Sequence, residues 1–155
     1  MQDGRCLRVR AFGSYGTTAT PSCVIAIRWG GVAGTMLGKT GLNVLTSAVG
    51  GGASMTAMWN MEAFIQTRAN GSSGSLMTNG EVNWSTSTLA TAGTVTQYGM
   101  PCILVSGTSG APGTAAAAAT ADLTADTSLS LTALWSASNA ANSIITLNCT
   151  IETLN

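Results

Sequence analysis

The chain has 155 residues, the usual size of one domain. Six Lys and Arg side chains balance six Asp and Glu, and only 8% of residues are charged, against about 25% in a typical protein. Such weak charge argues against a nucleic-acid partner, because phosphate neutralisation needs clustered Lys and Arg. No stretch reaches the ~18 apolar residues of a membrane helix, and "MQDGRCLRVRAFG" has charges where a secretory signal needs apolar residues. We predict one soluble domain over 1–155, made in a reducing compartment, without nucleic-acid or membrane partners.

Apolar and polar residues alternate along most of the chain, which is typical of half-buried strands. In "CLRVRAF", Arg8 and Arg10 share one face, which we interpret as a polar face and not as an anion site. "CVIAIRW" and "SLSLTALW" alternate in the same way. The last segment, "IITLNCTIETL", aligns Ile145, Leu147, Cys149 and Ile151 on one face. The predicted strands lie near 5–12, 23–29, 35–45, 56–69, 75–85, 94–105, 120–135 as one or two pieces, and 143–154.

Glycine-rich and polar breaks separate these segments, among them "GSYGTTATP", "VGGGAS", "NGSSG" and "SGTSGAPG". The run Ala115 to Ala119 favours a helix by propensity, but it has few long side chains to bury, and short isolated helices are marginal. We predict a loop or an edge strand there. About eight short strands with turns between them indicate an all-β fold, a single antiparallel β-sandwich of jelly-roll type.

Four cysteines, Cys6, Cys23, Cys102 and Cys149, lie far apart with no C-x-x-C spacing. An even number allows two disulfides in three connectivities. Small buried thiols are the simpler interpretation, and we predict four of them.

The sequence offers little chemistry. It contains no histidine, which removes Ser-His-Asp and Cys-His systems and the commonest metal ligand. Glu62 and Glu81 could face each other across a hairpin whose turn lies near 71–73, and we interpret them as a solvated pair of like charges. Asp122 and Asp126 lack the oxygen-rich pattern of a calcium loop. The chain is therefore not expected to be an enzyme, and we predict no catalytic residue, cofactor or metal.

The glycine-rich segment "GGVAGTMLGKTG" at 30–41 contains "GKT", as a phosphate-binding loop does. The required G-x-x-x-x-G-K-[ST] spacing places a glycine at position 33, which is Ala33. The spacing fails, and we interpret the segment as a glycine-rich turn.

The aromatic residues divide into inward and outward candidates. Trp29, Trp59 and Trp135 lie on apolar strand faces, and Trp84 shares a face with an apolar neighbour, so all four tryptophans are expected to point inward. The two tyrosines, Tyr15 and Tyr98, lie in turn-like contexts and are the better candidates for exposed contacts.

The segments "LRVRAFGSYGTTATP", "RWGGVAGTML", "MEAFIQTRANGSSGSLMTNGEV" and "ALWSASNAANSIITLNCTIETL" resemble those of small jelly-roll structural proteins of tailed bacteriophages, of the decoration or fibre type. The resemblance implies a symmetric virion component, and a homotrimer is the oligomer that it favours. Members commonly carry a lead-in segment before the first strand, whereas this chain starts almost at that strand. An attachment arm is therefore expected to be absent, to be short or to come from another chain.

The leading hypothesis is a capsid decoration (cement) protein that binds the major capsid protein, or another virion protein, from outside. Its location would be the virion, assembled in the cytoplasm of the host bacterium. The alternative is a tail- or head-fibre tip that recognises a host-surface glycan through loops such as 13–20, 70–75 and 106–114. No binding residue is assigned from the sequence.

Overall fold

The computed structural model describes residues 3–18, 21–41, 43–44, 57–85, 99–106 and 117–154. Over these residues the chain forms ten strands and no helix, all paired antiparallel, so the all-β antiparallel prediction is confirmed. The strands are β1 (Cys6–Gly16), β2 (Ser22–Trp29), β3 (Thr35–Thr40), β4 (Asn43–Val44), β5 (Ala57–Ala69), β6 (Gly74–Ser85), β7 (Gly99–Ser106), β8 (Ala119–Ala121), β9 (Leu129–Trp135) and β10 (Ser143–Leu154).

The strands form one sheet that nearly closes into a barrel. Its continuous order is β10-β1-β5-β6-β7-β3-β2, and β9 lies beside β2 at the far end. Two short strands pair with the ends of longer strands. β4 pairs with the start of β2, and β8 pairs with the start of β6.

The pairings are nested in sequence. The outermost pair joins β1 to β10, the next joins β2 to β9, the next joins β3 to β7, and the innermost is the hairpin of β5 and β6. The ladders between β1 and β5 and between β6 and β7 then connect these pairs sideways. The chain therefore behaves like a long hairpin that has folded over on itself.

The predicted strand positions agree with the structure over the described residues. The predicted strand 35–45 is interrupted after Thr40 and continues as β4, and the segment 120–135 divides into β8 and β9. The turn predicted near 71–73 joins β5 to β6, where Gly71 has a φ of 102°, a value that favours glycine. Of the alanine run, residues 117 and 118 have no regular structure and Ala119 begins β8, while 115 and 116 lie outside the described residues.

The core contains inner side chains of β1, β2, β3, β5, β6, β7 and β8, and partly buried side chains of β9 and Ile144 of β10 pack against it. A cluster of three aromatic side chains lies at one end. Trp59 and Trp84 face each other across the β5–β6 ladder, and the edge of Tyr15 contacts Trp84 with ring centroids 5.0 Å apart. The inward prediction is confirmed for the fully buried Trp59 and Trp84, while Trp29 and Trp135 pack half-buried against the core.

The expectation that Tyr15 is exposed is wrong. Only 1% of its surface is exposed, and its hydroxyl donates a hydrogen bond to the Ser85 carbonyl oxygen. The physical reason is that "GSYG" continues β1 to Gly16 instead of forming a turn, so that the alternation places Tyr15 on the inner face. Burial raises the pKa of this hydroxyl to about 12, with a further contribution from the Cys23 thiol. Tyr98 lies outside the described residues.

A β-bulge changes which side chains of β10 face inward. The β1–β10 register shifts between Phe12 and Gly13, so that Leu147 is the extra residue on β10. On one side of the shift, Cys149 and Ile151 lie over the core beside Val9 and Ile27. On the other side, the inner positions belong to Ile144 and Thr146, which line a cavity with Ile25 and Trp59. The predicted single apolar face of Ile145, Leu147, Cys149 and Ile151 is therefore wrong at two positions. Ile145 pairs with Ser14 and lies on the outer face, and Leu147 is the unpaired residue of the bulge, 57% exposed.

The cysteines differ in burial. Cys6, Cys23 and Cys149 are free thiols; Cys23 is buried, Cys6 is half-buried and Cys149 is exposed. The prediction of buried thiols is therefore wrong for Cys149, because β10 is an end strand of the sheet that the described residues form and pairs there with β1 alone. The environment of the Cys102 side chain lies outside the described part of the chain.

Candidate interaction surface

The strands β10, β1, β5 and β6 present a broad outer face on which side chains from distant parts of the sequence stand in rows. Each row follows from the ladder registers, because directly paired residues point to the same face. The first row holds Glu152, Arg8, Phe64 and Asn79; the second holds Thr150, Arg10, Glu62 and Glu81; the third holds Asn148, Phe12, Asn60 and Asn83; the fourth holds Ile145, Ser14 and Met58. We call this surface the outer face.

Charged groups on the outer face neutralise one another. The Glu62 carboxylate accepts hydrogen bonds from Arg8 and Arg10, and the Arg10 Nε–Glu62 Oε1 distance is 2.9 Å. Arg8 also lies 3.6 Å from a Glu152 oxygen and stacks over the Phe64 ring at 5.9 Å. Arg8 and Arg10 therefore line a polar strand face, as predicted, and their charges are already compensated.

Glu62 and Glu81 do face each other across the hairpin, as predicted. They are not a solvated pair of equals, however, since Glu62 is held by two arginines while Glu81 accepts a hydrogen bond from Asn83 at 3.2 Å. Glycoside hydrolysis needs two carboxyl groups of contrasting protonation on either side of a cleft. Here both lie on an open sheet surface, an arrangement that does not provide such a cleft.

The middle of the outer face contains a shallow depression of about 360 Å³. Phe12 lies in it with 45% of its surface exposed. Its row neighbours Asn60 and Asn148 stand on either side, and Arg10, Glu62 and Thr150 form the next row. The depression therefore combines one aromatic ring with groups that donate hydrogen bonds and groups that accept them.

A second surface feature is the open side of the sheet, where β9 and β10 face each other without pairing. Over the described residues β9 pairs with β2 alone and β10 with β1 alone. One edge of each strand therefore carries backbone donors and acceptors that have no strand partner among the described residues. A cavity of about 270 Å³ opens between them, lined by Leu131 and Ala133 of β9 and by Ile144 and Thr146 of β10.

The open side is apolar and almost uncharged. Leu147 and Ile151 of β10 are 57% and 51% exposed, and Leu134 of β9 is 71% exposed. Glu152 is the one charged residue in the two strands, and Arg8 pairs with it. Natural sheets protect open edges with Lys, Pro or very short strands. Neither β9 nor the 12-residue β10 has a lysine or a proline.

The acids considered for calcium, Asp122 and Asp126, are both exposed in the segment between β8 and β9. Asp122 accepts hydrogen bonds from the backbone and the hydroxyl of Thr124, and these hydrogen bonds lower the pKa of its carboxyl. Within the described ranges, no group of three or more Cys, Asp or Glu side chains is placed to hold a metal ion.

The loops considered for glycan contact are placed only in part. Residues 13–17 belong to the buried end of β1 and its extension, which contradicts that expectation for them. Residues 70–73 form the exposed turn between β5 and β6, while 19–20 and 107–114 lie outside the described residues. The depression around Phe12 was not foreseen, because its members come from three strands and only the register brings them together.

Comparisons with known proteins identify no relative of this chain. A scan against protein-family models finds no matching family, and searches of curated proteins and of solved structures find no similar protein. Among the described residues, no helix is long and apolar enough to cross a membrane.

Proposed function

We propose that the chain is a structural protein of a bacteriophage virion, a decoration protein that binds the outer surface of the capsid as a homo-oligomer. The observation that carries this proposal is the open side of the sheet. Two neighbouring strand edges with exposed apolar side chains and a single, compensated charge are suited to permanent contact with another protein surface.

The fold supports the proposal. In a jelly roll, a long hairpin of eight strands is wrapped into a β-body, and the nested pairs β1–β10, β2–β9, β3–β7 and β5–β6 have this order. We propose on this basis that the body belongs to the jelly-roll class, with the lateral ladder between β1 and β5 joining the pairs into one nearly closed sheet.

The composition supports an assembled state as well. A dispersed domain usually carries a net charge away from zero, whereas this chain has six charges of each sign. Few charges on a contact surface also reduce the cost of removing water from it. Homo-oligomers of this kind are usually symmetric, and a trimer fits the resemblance seen in the sequence.

The test uses particles of the phage that encodes the chain, prepared with and without the gene. Particles without the protein should lose a surface density and should open at a lower temperature or at a lower chelator concentration. Adding the purified wild-type chain should restore both properties, while a chain carrying Leu147→Lys on the open side should restore them poorly. Deletion particles that are equally robust and show no empty surface position would contradict the proposal.

A fibre tip that binds a host-surface glycan is the second candidate, and the depression around Phe12 favours it. Copy number separates the two candidates. A decoration protein is present in proportion to the capsid subunits, whereas a fibre tip is present in few copies per particle, and quantitative mass spectrometry of purified particles measures the difference.

A further inference from the structure

We propose that the depression around Phe12 is a binding site for a neutral carbohydrate. The site consists of Phe12, Asn60, Asn148, Thr150 and Glu62, with Arg10 as the group that holds Glu62 in place. This inference is independent of where in the virion the chain lies, since the surface can bind a sugar on a capsid or on a fibre.

The shape and chemistry of the depression fit a sugar ring. A pyranose has apolar C–H faces and a rim of hydroxyl groups, each of which both donates and accepts hydrogen bonds. The half-exposed Phe12 ring offers a flat apolar surface, and the amides of Asn60 and Asn148 stand beside it in the same row. An amide supplies a donor and an acceptor, and the Thr150 hydroxyl supplies both at one atom. The volume of about 360 Å³ lies at the small end of the roughly 300–1,000 Å³ of ligand sites.

The electrostatics favour a neutral ligand over a phosphate or another anion. Both arginines of the first two rows, Arg8 and Arg10, already donate to Glu62. Three acids, Glu62, Glu81 and Glu152, face two arginines on the first two rows, so this area carries a small negative excess. An anion would have to displace a carboxylate from its arginine partners. A hydroxyl group can instead donate to a carboxylate oxygen without breaking either ion pair.

The site is also fixed before any ligand arrives. Its members stand on long strands and not on loops, which limits their movement. The Arg10–Glu62 pair holds two of them, and Asn83 Nδ2 lies 3.5 Å from the Asn60 side-chain oxygen and 3.2 Å from a Glu81 oxygen. A preformed site loses less conformational entropy on binding than a mobile one, which matters for a ligand as weakly held as a monosaccharide.

The test is a nuclear magnetic resonance titration of the purified full chain with the methyl glycosides of glucose, galactose and mannose and with N-acetylglucosamine. At least one of the four should shift the backbone amide signals of 10–12, 60–62 and 148–150 in a saturable way. The affinity should fall about tenfold or more in Phe12→Ala, which corresponds to ~1.4 kcal/mol, and also in Asn148→Ala. Phe12→Leu keeps apolar volume but removes the aromatic face, and it should bind more weakly than the wild type.

The matched control is Leu134→Ala, which removes an exposed apolar side chain on β9, away from the depression, and should leave the affinity unchanged. Unshifted amide signals elsewhere in each variant establish that the fold is intact. Silence with all four sugars and on an array of neutral oligosaccharides would overturn the inference. Saturable shifts confined to another surface would overturn it too, as would binding of acidic glycans alone with strong salt dependence. None of these measurements involves a capsid, so their failure leaves the decoration proposal standing.

Discussion

The absence of a side chain at Gly13 allows a hydrogen bond to cross β1 at one end of the molecule. The indole of Trp59 on β5 reaches across β1 and donates to the Ile145 carbonyl oxygen on β10, at 3.1 Å. It can do so because position 13, which lies between them, has no side chain. A Cβ there would stand 2.8 Å from the indole nitrogen and would collide with the Ile145 oxygen. The register shift begins at the same residue.

We therefore expect Gly13→Ala to destabilise the protein by about 2–3 kcal/mol, from overpacking together with the lost hydrogen bond of Trp59. Urea unfolding followed by tryptophan fluorescence measures the change in free energy. Thr120→Ala, at an exposed position of β8, serves as the control and should stay within about 0.5 kcal/mol of the wild type. A Gly13→Ala variant as stable as the control would mean that the Trp59 contact across β1 is not needed.

Two weakly acidic groups that are buried on the inner face, the Tyr15 hydroxyl and the Cys23 thiol, predict a loss of stability at high pH. Burial raises the pKa of Tyr15 to about 12 and that of the Cys23 thiol to about 12, from ordinary values of 10.0 and 9.0. The unfolded chain releases these protons first, so it binds fewer protons than the folded chain once the pH exceeds about 9. The stabilisation is complete below that pH and is lost as the pH rises toward 12, by about 1.4 kcal/mol per pH unit for each titrating group.

Urea unfolding between pH 7 and pH 11.5 checks this expectation. The free energy of unfolding should be nearly constant up to about pH 9 and should then fall. Tyr15→Phe should be less stable at pH 7, because the hydrogen bond to the Ser85 carbonyl is lost, and it should show a shallower fall above pH 10. An identical slope in Tyr15→Phe and the wild type would show that this hydroxyl does not titrate with folding.

At the scale of the strands, alternation with period two located the elements because one side of each strand faces the core. The pattern in 57–69 and 74–85 is nearly unbroken in the structure. It failed at β10, where the bulge reverses the faces between Ile145 and Cys149, because the bulge lies opposite Phe12 and Gly13, more than 130 positions away in the chain. It also failed at Tyr15, since a local "GSYG" is typical of a turn and only the pairing with β10 and β5 extends the strand.

The β5–β6 hairpin gives two substitutions of opposite sign at facing positions. Glu62→Gln removes the negative charge that pairs with two arginines and should cost up to about 1 kcal/mol, since the pairs are partly exposed. Glu81→Gln removes a like charge directly opposite Glu62 and should be neutral or stabilising by about 0.2–0.5 kcal/mol.

Thermal or urea unfolding of the two variants at low and at high salt measures both effects. The difference between Glu62→Gln and Glu81→Gln should shrink at high salt, because exposed ion pairs are screened. Equal losses of stability in both variants would mean that Glu81, too, contributes a net favourable interaction.

At the scale of the whole molecule, the sequence predicted the inward and outward residues of single strands but not the surfaces they compose. The row of Asn148, Phe12 and Asn60 comes from three strands whose order in the sheet depends on the complete topology. The open side has the same origin. Nothing local in "SLSLTALW" or "SIITLNCTIETL" marks these strands as the two ends of the sheet, since both alternate like the interior strands.

The open side yields the prediction that joins the fold to the proposed function. If copies of the chain associate there, the purified protein should have a mass of a small multiple of 15.6 kDa, three times that value for a trimer. Leu147→Lys on β10 and Leu134→Lys on β9 place a charge where the described strands have only Glu152, and lysine on an edge opposes strand pairing. Light scattering coupled to size-exclusion chromatography should show both variants shifted toward the monomer, with the dissociation constant raised about tenfold or more.

The control is Val32→Lys. Val32 is 75% exposed in the turn between β2 and β3, so this variant adds the same charge away from the open side and should leave the mass unchanged. Two outcomes would show that self-association does not occur through the open side. One is a wild-type chain that stays monomeric at every concentration measured, and the other is equal dissociation of all three variants.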